Sequence, residues 1–320
     1  MKASFHEKYG PPDVLQIREI QIPTPKDNEV LISVKAASVN RSDLHVLTGK
    51  PLIMRLFTGL SKPRSPVTGS DFAGQVAAIG KDVTRFKVGD RVMGFSGGLG
   101  SGSHAQYYAF REAKRIVTMP DNINYEQAAA CLEGAYYAAM SIDQLKLQPG
   151  QKALVYGATG AIGSSYVQYL KYYGVHTTAV CPGAHRELMH SLGADKVIDY
   201  ETEDFTKDTE RYDLIFDAVG KTSFLKCKRL MKEKGMFFPS NGAENFFLIP
   251  ITRLLGGKRV MFVSSGNVNA GLDFIRGLLE KGRFQPVIDR VYPLDQIVEA
   301  FTYVATGKKI GNVIVTIDAE

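Results

Sequence analysis

A short polar stretch from Ser38 to Gly49, reading SVNRSDLHVLTG, follows an apolar run and carries side chains that bind metals or move protons. The carboxyl group of Asp43 and the imidazole of His45 suit either task, and Asn40 adds an amide that donates and accepts hydrogen bonds. The stretch therefore raises two hypotheses: a metal centre, or a metal-free site that has kept the surrounding polar groups.

The cysteines support neither a disulfide framework nor a thiolate metal site. Cys131, Cys181 and Cys227 lie 50 and 46 residues apart, and no pair has the CxxC spacing of a zinc knuckle. This usage is typical of a reducing compartment, so we expect a cytoplasmic protein.

A second stretch, ALVYGATGAIGSSYVQYLKYYG, has the pattern of a phosphate-binding turn. An apolar strand runs into three glycines, and an amphipathic helix follows. The first glycine permits a tight turn, the second lets the backbone approach a pyrophosphate, and the third lets helix and strand pack closely. Unpaired N–H groups at the helix start then favour the anion. The predicted dinucleotide-binding residues are Gly157, Ala158, Thr159, Gly160, Ala161, Ile162 and Gly163.

The end of the next strand indicates which dinucleotide is bound. An NAD-selective site places Asp or Glu there, about 20 residues after the glycines, to hold the ribose 2′-hydroxyl. Here the strand ends at Cys181, and His185 and Arg186 follow. Without a carboxylate a 2′-phosphate is not repelled, and an arginine can bind it as a charged fork. NADP(H) is therefore favoured; the alternative is that Arg186 only faces solvent.

The elements around these motifs change character along the chain. Up to about residue 120, short β-branched stretches alternate with Gly, Pro and Asp turns, which predicts a β-rich domain. From about Asn124, apolar strands alternate with helical patterns, which predicts a doubly wound parallel sheet. The tail returns to strand–helix–strand and is expected to rejoin the first domain. The fold class is α/β, with one domain of residues 1–123 and 267–320 and another of residues 124–266.

Size and charge narrow the possible partners. A chain of 320 residues is long enough for two domains. The net charge of +6 is not concentrated in basic runs, so an anionic cofactor or substrate explains it better than nucleic acid. The N-terminus has no signal-peptide core and no window approaches 18 continuous apolar residues. We therefore expect no nucleic-acid partner and no membrane partner.

Several motifs in the same order resemble the medium-chain dehydrogenase/reductase superfamily, and more narrowly its zinc-free quinone oxidoreductase branch. Besides the glycine turn they are GPPDVLQIREIQIPTPKDNEVLISVKAASVNRSD, PVTGSDFAGQVAAIGKDVTRFKVGDRVMGF, LGADKVIDY and KGRFQPVIDRVYPLDQIVEAF, and the likeness covers nearly the whole chain. The resemblance implies a GroES-like β-rich catalytic domain, a doubly wound Rossmann cofactor domain and a homodimer.

The same resemblance answers the question of the metal. Zinc alcohol dehydrogenases of this superfamily have Cys where Asn40 stands, and their Gly-His-Glu motif here reads Gly69-Ser70-Asp71. A third ligand, Cys, falls at Ala135. Catalytic zinc needs three protein ligands, and Asn40 and Ser70 are poor substitutes for a thiolate and an imidazole. We expect no metal.

The resemblance places Asn40 beside the nicotinamide, where its amide could hydrogen-bond the ribose or the substrate oxygen. Asp43 and His45 are the other candidate catalytic residues, and His45 could relay a proton because its pKa is ordinarily near neutrality. The alternatives are that Asp43 caps the following helix and that His45 only orders local backbone.

Further cofactor contacts are carried over from the family. Tyr200 matches a contact to the adenosine phosphate, and Val219 and Asn241 match contacts near the ribose and nicotinamide. Two positions depart from the family. Tyr137 stands where a Thr is usual, and Asn312, the remaining cofactor-binding candidate, stands where Lys is frequent.

Losing the metal removes the Lewis acid that would polarise an alcohol or a simple carbonyl. Quinones and α,β-unsaturated carbonyls then become the easier substrates, because they delocalise the incoming hydride and hydrogen-bond donors can stabilise the product anion. We expect an NADPH-dependent reductase of such acceptors. Two alternatives stay open: an alcohol dehydrogenase-type oxidoreductase, and a low-turnover NADP(H)-binding sensor or scaffold.

One apolar segment remains without an assigned role. Residues 50–66, KPLIMRLFTGLSKPRSP, place large apolar side chains at mixed helical spacing. The segment could form a lid over the substrate or a satellite core.

Overall fold

The protein is represented by a computed structural model in which residues 1–97, 99, 102–113, 115–240, 243–262 and 268–318 are described. The chain divides over this part into two compact units. Unit 1 comprises residues 1–133, 272–280 and 286–320, and unit 2 comprises residues 134–271 and 281–285. The domain boundaries drawn from the sequence stay a prediction.

The strands of both units are short, and most are bounded by glycine, proline or polar turns. In chain order they are β1 (Lys2–Phe5), β2 (Gln16–Glu19), β3 (Glu29–Ser38), β4 (Asp71–Ile79), β5 (Arg91–Phe95), β6 (Tyr107–Arg111), β7 (Ile116–Thr118), β8 (Lys152–Tyr156), β9 (His176–Cys181), β10 (Lys196–Asp199), β11 (Tyr212–Asp217), β12 (Met231–Pro239), β13 (Arg259–Val260), β14 (Ile288–Pro293) and β15 (Asn312–Thr316).

The helices have between 4 and 13 residues. They are α1 (Arg41–Thr48), α2 (Arg55–Thr58), α3 (Tyr125–Ala129), α4 (Glu133–Asp143), α5 (Ala161–Tyr172), α6 (Arg186–Ser191), α7 (Phe224–Cys227), α8 (Ala243–Leu255), α9 (Val268–Glu280) and α10 (Ile297–Ala305). Single 3₁₀ turns occur at Pro12–Val14, Leu52–Met54, Gly183–His185, Phe205–Lys207, Lys228–Leu230 and Leu294–Gln296. Among the residues described, no helix is both long enough and apolar enough to cross a bilayer.

Unit 1 is built on a mixed sheet in the order β14-β15-β3-β4-β5-β7, with β6 paired to β3. β3 is its central strand, because β15, β4 and β6 all pair with it and it is rich in buried β-branched residues. α10 packs on this sheet with Ile297, Ala300, Phe301 and Val304 buried, which is the i, i+3, i+4, i+7 spacing of one helix face. This sheet carries β3 into the polar stretch that begins at Ser38.

Unit 2 is built on a parallel sheet in the order β10-β9-β8-β11-β12-β13. β8 carries the continuous buried run Ala153, Leu154 and Val155, as expected for a parallel strand covered on both faces. The order runs outward in both directions from β8 and β11, so the glycine turn after β8 lies at a topological switch point of the sheet. The α/β fold class with a doubly wound sheet is confirmed.

An aromatic stack stabilises one face of the unit 2 sheet. The fully buried ring of Phe216 lies 4.3 Å from the ring of Tyr166 and 4.9 Å from that of Phe238, centroid to centroid. Such stacked rings contribute beyond the area that they bury. Tyr166 also donates a hydrogen bond of 2.6 Å to the Ser141 hydroxyl, so its polar end is satisfied in the interior.

Truncating Phe216 is expected to destabilise unit 2 strongly. The F216A variant loses both ring contacts and leaves a cavity, so its free energy of unfolding falls by about 3–5 kcal/mol. Urea unfolding followed by circular dichroism measures this. The control is L225A, on a side chain that is 67% exposed, which changes stability by no more than about 0.5 kcal/mol. Equal effects of the two variants would show that the stack does not hold the sheet together.

Candidate functional site

The polar stretch after β3 is organised by a helix cap. Asn40 immediately precedes α1, and its backbone N–H donates to the Asp43 carboxylate at 2.8 Å. Asp43 therefore satisfies a backbone group at the helix start, as the capping alternative anticipated. Its side chain is also buried with two further acids, so capping is only one of its interactions.

Asp71 is the hydrogen-bonding centre of this region. Its carboxylate accepts hydrogen bonds from the Ser38 backbone N–H at 2.8 Å, from the Ser38 hydroxyl at 2.5 Å and from the Asn40 amide at 2.9 Å. Burial raises the pKa of Asp71 to about 6, and these bonds limit the rise because they stabilise the ionised form. The second hydrogen of the Asn40 amide points to the Ser38 hydroxyl at 2.7 Å, so the amide nitrogen is fully engaged by its own unit.

Glu133 completes a set of three acids, Asp43, Asp71 and Glu133, which we call the carboxyl cluster. Its Oε2 accepts hydrogen bonds from the Ser42 hydroxyl at 2.6 Å and the Ser70 hydroxyl at 3.3 Å. Burial, and then the nearby charge of Asp71, raise the pKa of Glu133 to about 7, although the Ser42 bond opposes the rise. A carboxyl group that titrates near neutrality is suited to general acid–base chemistry.

The Ser70 hydroxyl joins two members of the carboxyl cluster. It donates to Glu133 at 3.3 Å, and a hydrogen bond between Ser70 and Asp43 lowers the pKa of Asp43 because it stabilises the ionised form. A hydroxyl carries one hydrogen, so Ser70 donates to one of the two acids at a time, and a second bond needs a proton on the other acid. Burial and the charges of Glu133 and Asp71 raise the pKa of Asp43 well above its ordinary value, which favours that proton. The chain Asp43–Ser70–Glu133 can therefore hold and pass a proton.

Lys309 supplies positive charge to the carboxyl cluster. Lys309 donates through Nζ to the Gly311 carbonyl at 2.6 Å, and its charge favours the ionised form of Glu133. Burial lowers the pKa of Lys309 to about 8, and the carboxylates of Glu133 and Asp289 oppose that fall. Lys309 is therefore a partner whose own charge is sensitive to pH just above neutrality.

A buried histidine fixes the backbone that leads into the cluster. His104 donates from Nε2 to the Ser38 carbonyl at 3.0 Å, and its Nδ1 lies 2.8 Å from the Thr68 hydroxyl. Burial lowers the pKa of His104 to about 4, so the ring is neutral at physiological pH. His45 has different surroundings: its Nδ1 donates to the Lys50 carbonyl at 2.8 Å, which orders local backbone. A proton-relay role for His45 stays a prediction.

The glycine turn of unit 2 has the geometry that a pyrophosphate needs. Gly157 has a φ of +75°, which side chains other than glycine rarely adopt, and a Cβ there would meet Val219. A Cβ on Gly163 would lie 2.2 Å from the Gly157 carbonyl oxygen, so the start of α5 packs directly on the turn. At Gly160 the nearest atom would be 3.6 Å away, which leaves this side open. No side chain caps α5 at Gly160, so its backbone N–H groups are offered to an anion.

The residues between these glycines are buried on one side of the turn and partly exposed on the other. Ala158 and Thr159 are buried beneath the turn, whereas Ala161 and Ile162 begin α5 with partly exposed side chains. The turn therefore buries one side and presents backbone on the other. This arrangement fits a dinucleotide phosphate, in agreement with the sequence pattern.

A cationic side chain, Arg186, and an anionic side chain, Asp199, both lie near the carboxyl end of β9. Cys181 is buried, and burial raises the pKa of its thiol to about 11, so it acts as a small apolar residue. His185 ends the 3₁₀ turn before α6, and the Arg186 guanidinium donates to the Val197 carbonyl at 3.0 Å. Asp199 of the neighbouring strand pairs in register with Cys181. Hydrogen bonds from Glu201 and Gly183 lower the pKa of Asp199, so a carboxylate stands beside the turn after all.

Two further cofactor candidates lie at the carboxyl ends of the unit 2 strands. Val219 is 37% exposed and follows β11, in a turn organised by Asp217, whose carboxylate accepts the Val219 N–H at 3.1 Å. Tyr200 follows β10, is partly exposed, and has its ring 6.1 Å from that of Tyr156. Both therefore remain candidates for contact with an adenosine group.

The last two candidates are placed differently. Asn312 lies in unit 1, buried in β15, and its amide donates to the carbonyls of Ala130 at 2.9 Å and Val287 at 3.1 Å. These bonds give it a structural role, and its contact with a cofactor stays a prediction. Asn241 lies outside the described residues.

Sequence reasoning missed the members of the carboxyl cluster other than Asp43. In the sequence, Asp71 stands in the motif that replaces Gly-His-Glu, and Glu133 lies in CLEGAYY, whose only evident feature is the missing cysteine ligand. The sequence signal that could have found Glu133 is an acid at the start of an otherwise apolar helix. An acid buried there needs hydrogen-bond partners, so it indicates a polar site. Across the described ranges, no group of three or more His, Cys, Asp or Glu side chains is arranged to hold a metal ion.

Alanine substitutions separate the two roles of the glycines without any ligand. G163A forces a Cβ against backbone, so the free energy of unfolding falls by about 1–3 kcal/mol. G160A places its Cβ at an ordinary contact distance of 3.6 Å, so the free energy of unfolding of the ligand-free protein changes by less than about 1 kcal/mol. Thermal unfolding of the two variants measures the difference, and equal melting temperatures would contradict the close packing described at Gly163.

Replacing Glu133 with Gln tests the carboxyl cluster through pH. The pKa of Glu133 is raised from 4.5 to about 7, so the folded chain binds more protons than the unfolded one in that window and its stability falls as pH rises through it. E133Q keeps an acceptor for Ser42 but stays neutral. Its stability relative to wild type therefore rises by roughly 1–3 kcal/mol from about pH 5 to about pH 8.

Urea unfolding at the two pH values measures this relative stability. E203Q, on an exposed residue, is the matched control and keeps a constant difference from wild type. A stability difference between E133Q and wild type that does not change with pH would show that Glu133 is ionised throughout.

Known protein families match both units. Residues 26–121 match the family described as "Alcohol dehydrogenase GroES-like domain", and residues 192–315 match the one described as "Zinc-binding dehydrogenase". Among solved structures, the fold is similar to the quinone oxidoreductase from Coxiella burnetii, with a TM-score of 0.89, 24% identity and 99% of each chain covered. At that identity the likeness shows the fold alone.

Curated relatives are similar over nearly the whole chain. A 2-methylene-furan-3-one reductase of Solanum lycopersicum is 32% identical, and the match covers 98% of this chain and 79% of the relative. An NADPH-dependent alkenal/one oxidoreductase, chloroplastic, of Arabidopsis thaliana has the same identity and the same coverage. The chain therefore belongs to the medium-chain dehydrogenase/reductase superfamily, together with the quinone oxidoreductases and alkenal reductases that it matches.

Proposed function

We propose that this protein is an NADPH-dependent reductase that transfers a hydride to quinones or α,β-unsaturated carbonyls. The observation that carries the proposal is the carboxyl cluster, whose three acids lie within three residues of Asn40, Ser70 and Ala135, the positions that match the zinc ligands of the superfamily, and have pKa values raised by burial. The relatives named for alkenal and furanone reduction support the same class of acceptor. When bound, the reduced dinucleotide supplies the hydride.

The chain's own residues then have to supply a proton. A conjugated acceptor becomes an enolate or quinol anion on taking up hydride, and one proton completes its reduction. Glu133 is the proposed source, because its pKa of about 7 leaves it partly protonated at physiological pH. Asp43 refills Glu133 through the Ser70 hydroxyl, and Lys309 favours the carboxylate that remains.

We propose that this reaction runs without zinc. The Asn40 amide nitrogen is engaged by Ser38 and Asp71, and the Ser70 hydroxyl is engaged by acids. Neither group resembles the thiolate or the imidazole that zinc binds in this superfamily. The donor set therefore does not fit a catalytic zinc ion.

The proposed cofactor preference is for NADP(H). The open side at Gly160 accommodates the pyrophosphate, Arg186 offers positive charge for a 2′-phosphate after β9, and His185 offers a ring N–H donor. Asp199 opposes that preference, but its carboxylate is held by backbone N–H groups of Gly183 and Glu201. Tyr200 and Val219 supply the proposed contacts to the adenosine half.

We also propose a homodimer formed through unit 2 in a reducing, cytoplasmic setting. β13 is the edge strand of the unit 2 sheet, and Leu254 and Leu255 of the preceding α8 are 89% and 78% exposed. An edge strand beside exposed apolar side chains is suited to pairing with a second copy. The three free cysteines are all buried, in keeping with a reducing compartment.

The function is tested by following NADPH oxidation by the purified protein with a naphthoquinone, a 2-alkenal, an enone, a saturated aldehyde and, with NADP⁺, a primary alcohol. NADH is run in parallel, and each reaction is repeated after treatment with a metal chelator. We expect turnover with the quinone and the conjugated carbonyls only, unchanged by the chelator. G160A is the binding control, because its Cβ would occupy the approach of the pyrophosphate while the fold stays intact.

Each alternative has its own outcome. Alcohol oxidation that the chelator abolishes would identify a metal-dependent alcohol dehydrogenase. NADPH binding without turnover of any acceptor would identify a sensor or scaffold. Either result would overturn the proposed function.

A further inference from the structure

The segment between α1 and β4 presents apolar side chains to solvent in an ordered array. Leu52, Ile53, Leu56, Phe57 and Leu60 are each between 59% and 70% exposed. Over the helical residues 52–58, the first four of these fall within an arc of about 140° on one side of the helix. This exposure argues against a satellite core, since more than half of each of these residues is accessible to solvent.

The opposite side of the segment is fastened to the protein by polar contacts. Thr58 is buried, and its hydroxyl lies 2.8 Å from the Tyr9 hydroxyl, which also lies 2.6 Å from the Gly59 carbonyl. The Arg55 guanidinium stacks over the Tyr9 ring at 4.6 Å. This turn is therefore inverted, with polar groups facing the protein and apolar groups facing outward. The fastening holds the apolar arc in one place.

The charge of the segment has one sign. Residues 44–70 contain no aspartate or glutamate, whereas Lys50, Arg55, Lys62 and Arg64 carry positive charge. Lys50, Lys62 and Arg64 are exposed, and Arg64 also donates to the Phe57 carbonyl at 3.2 Å. Cations thus flank the apolar arc at both ends, a combination that recognises an apolar layer with a negatively charged rim.

We propose that residues 50–64 form an interfacial segment that binds an anionic lipid bilayer, with the apolar arc entering the headgroup boundary and the flanking cations meeting lipid phosphates. A spanning helix is not required, because an interfacial element buries only about 5–10 Å into the boundary. The expectation of no membrane partner rested on spanning segments and a signal peptide, and an interfacial element is neither. This inference goes beyond the proposed function and does not depend on it.

A second copy of the chain is a weaker candidate for covering this surface. In a two-fold symmetric contact the same patch meets itself, which would bring the cations of Lys50, Arg55, Lys62 and Arg64 towards one another without an acid in the segment to neutralise them. The bilayer supplies the missing negative charge, and it also accepts the apolar side chains.

The proposal is tested by flotation of the purified full-length protein with vesicles of phosphatidylcholine, with and without about 30% phosphatidylglycerol. Wild type floats with the anionic vesicles, and higher salt weakens its binding. F57S/L60S lowers the partition coefficient at least about tenfold because it removes apolar side chains from the boundary. K50E/K62E lowers it by about 25-fold or more, since each of the two lost cations near an anionic surface contributes about a factor of five.

Matched controls come from exposed residues elsewhere. V88S/L225S removes apolar side chains that are 60% and 67% exposed, and K87E/K234E makes the same change of net charge at other exposed positions. Both bind vesicles like wild type. Circular dichroism and thermal unfolding establish that all variants are folded.

A fluorescent reporter gives an independent readout, because the chain contains no tryptophan. In F57W the single indole moves from water into the headgroup boundary on addition of anionic vesicles, so its emission shifts to the blue and quenching by iodide falls. In V88W neither property changes. Sedimentation of wild type and F57S/L60S without lipid shows whether the patch joins two copies.

The proposal is overturned by failure of wild type to bind the anionic vesicles, or by binding that the control variants lose as fully as F57S/L60S. It is also overturned if F57S/L60S dissociates an oligomer of the wild type, because the patch would then be an interface between copies. If the F57W variant binds vesicles but the wavelength of its indole emission does not change, the membrane contact lies elsewhere on the protein.

Discussion

Burying three carboxyl groups together is the constraint on which the rest of unit 1 depends. An isolated ion in a protein interior costs several kcal/mol, and like charges add to that cost. Asp71 is offset by donors from Ser38 and Asn40, and Glu133 by the Ser42 and Ser70 hydroxyls. Burial raises the pKa of all three acids, so protonation removes the part of the charge-burial cost that the hydrogen bonds leave.

This constraint explains the character of the surrounding sequence. Small hydroxyl residues, Ser38, Ser42 and Ser70, donate to the acids, and His104, which is neutral because it is buried, donates to the Ser38 carbonyl. Hydroxyl donors and protonation balance the charge of these acids. A site that holds a proton near neutral pH suits the proposed reaction, because an acceptor that has taken up a hydride needs a proton.

Unit 2 meets its own requirement by different means. The proposed contact between its turn and a pyrophosphate runs through backbone N–H groups, so the turn needs positions without side chains. Gly163 permits contact between α5 and the turn, whereas Gly160 keeps one face open. The two units therefore contribute separate chemistry, one through titratable side chains and the other through shaped backbone.

Much of this could be predicted from the sequence, because periodicity and glycine spacing are local signals. The parallel sheet followed from short apolar strands such as ALVY, and the glycine turn followed from its position after that strand. Glu133 could not be found in the same way, since it lies 62 residues after Asp71 in the sequence and only the fold brings them together. The burial of Thr58 could not be predicted either, because the apolar pattern of residues 50–66 resembles that of a buried helix.

The central claim is that Glu133 carries a titratable proton inside unit 1. Infrared difference spectroscopy of the protein between about pH 6 and about pH 8 observes the carbonyl stretch of protonated carboxyl groups directly. The account predicts a band that disappears as pH rises through about 7, shifts in heavy water, and is absent from the difference spectrum of E133Q. A spectrum of E133Q identical to that of wild type would contradict it, because the proton would then lie elsewhere.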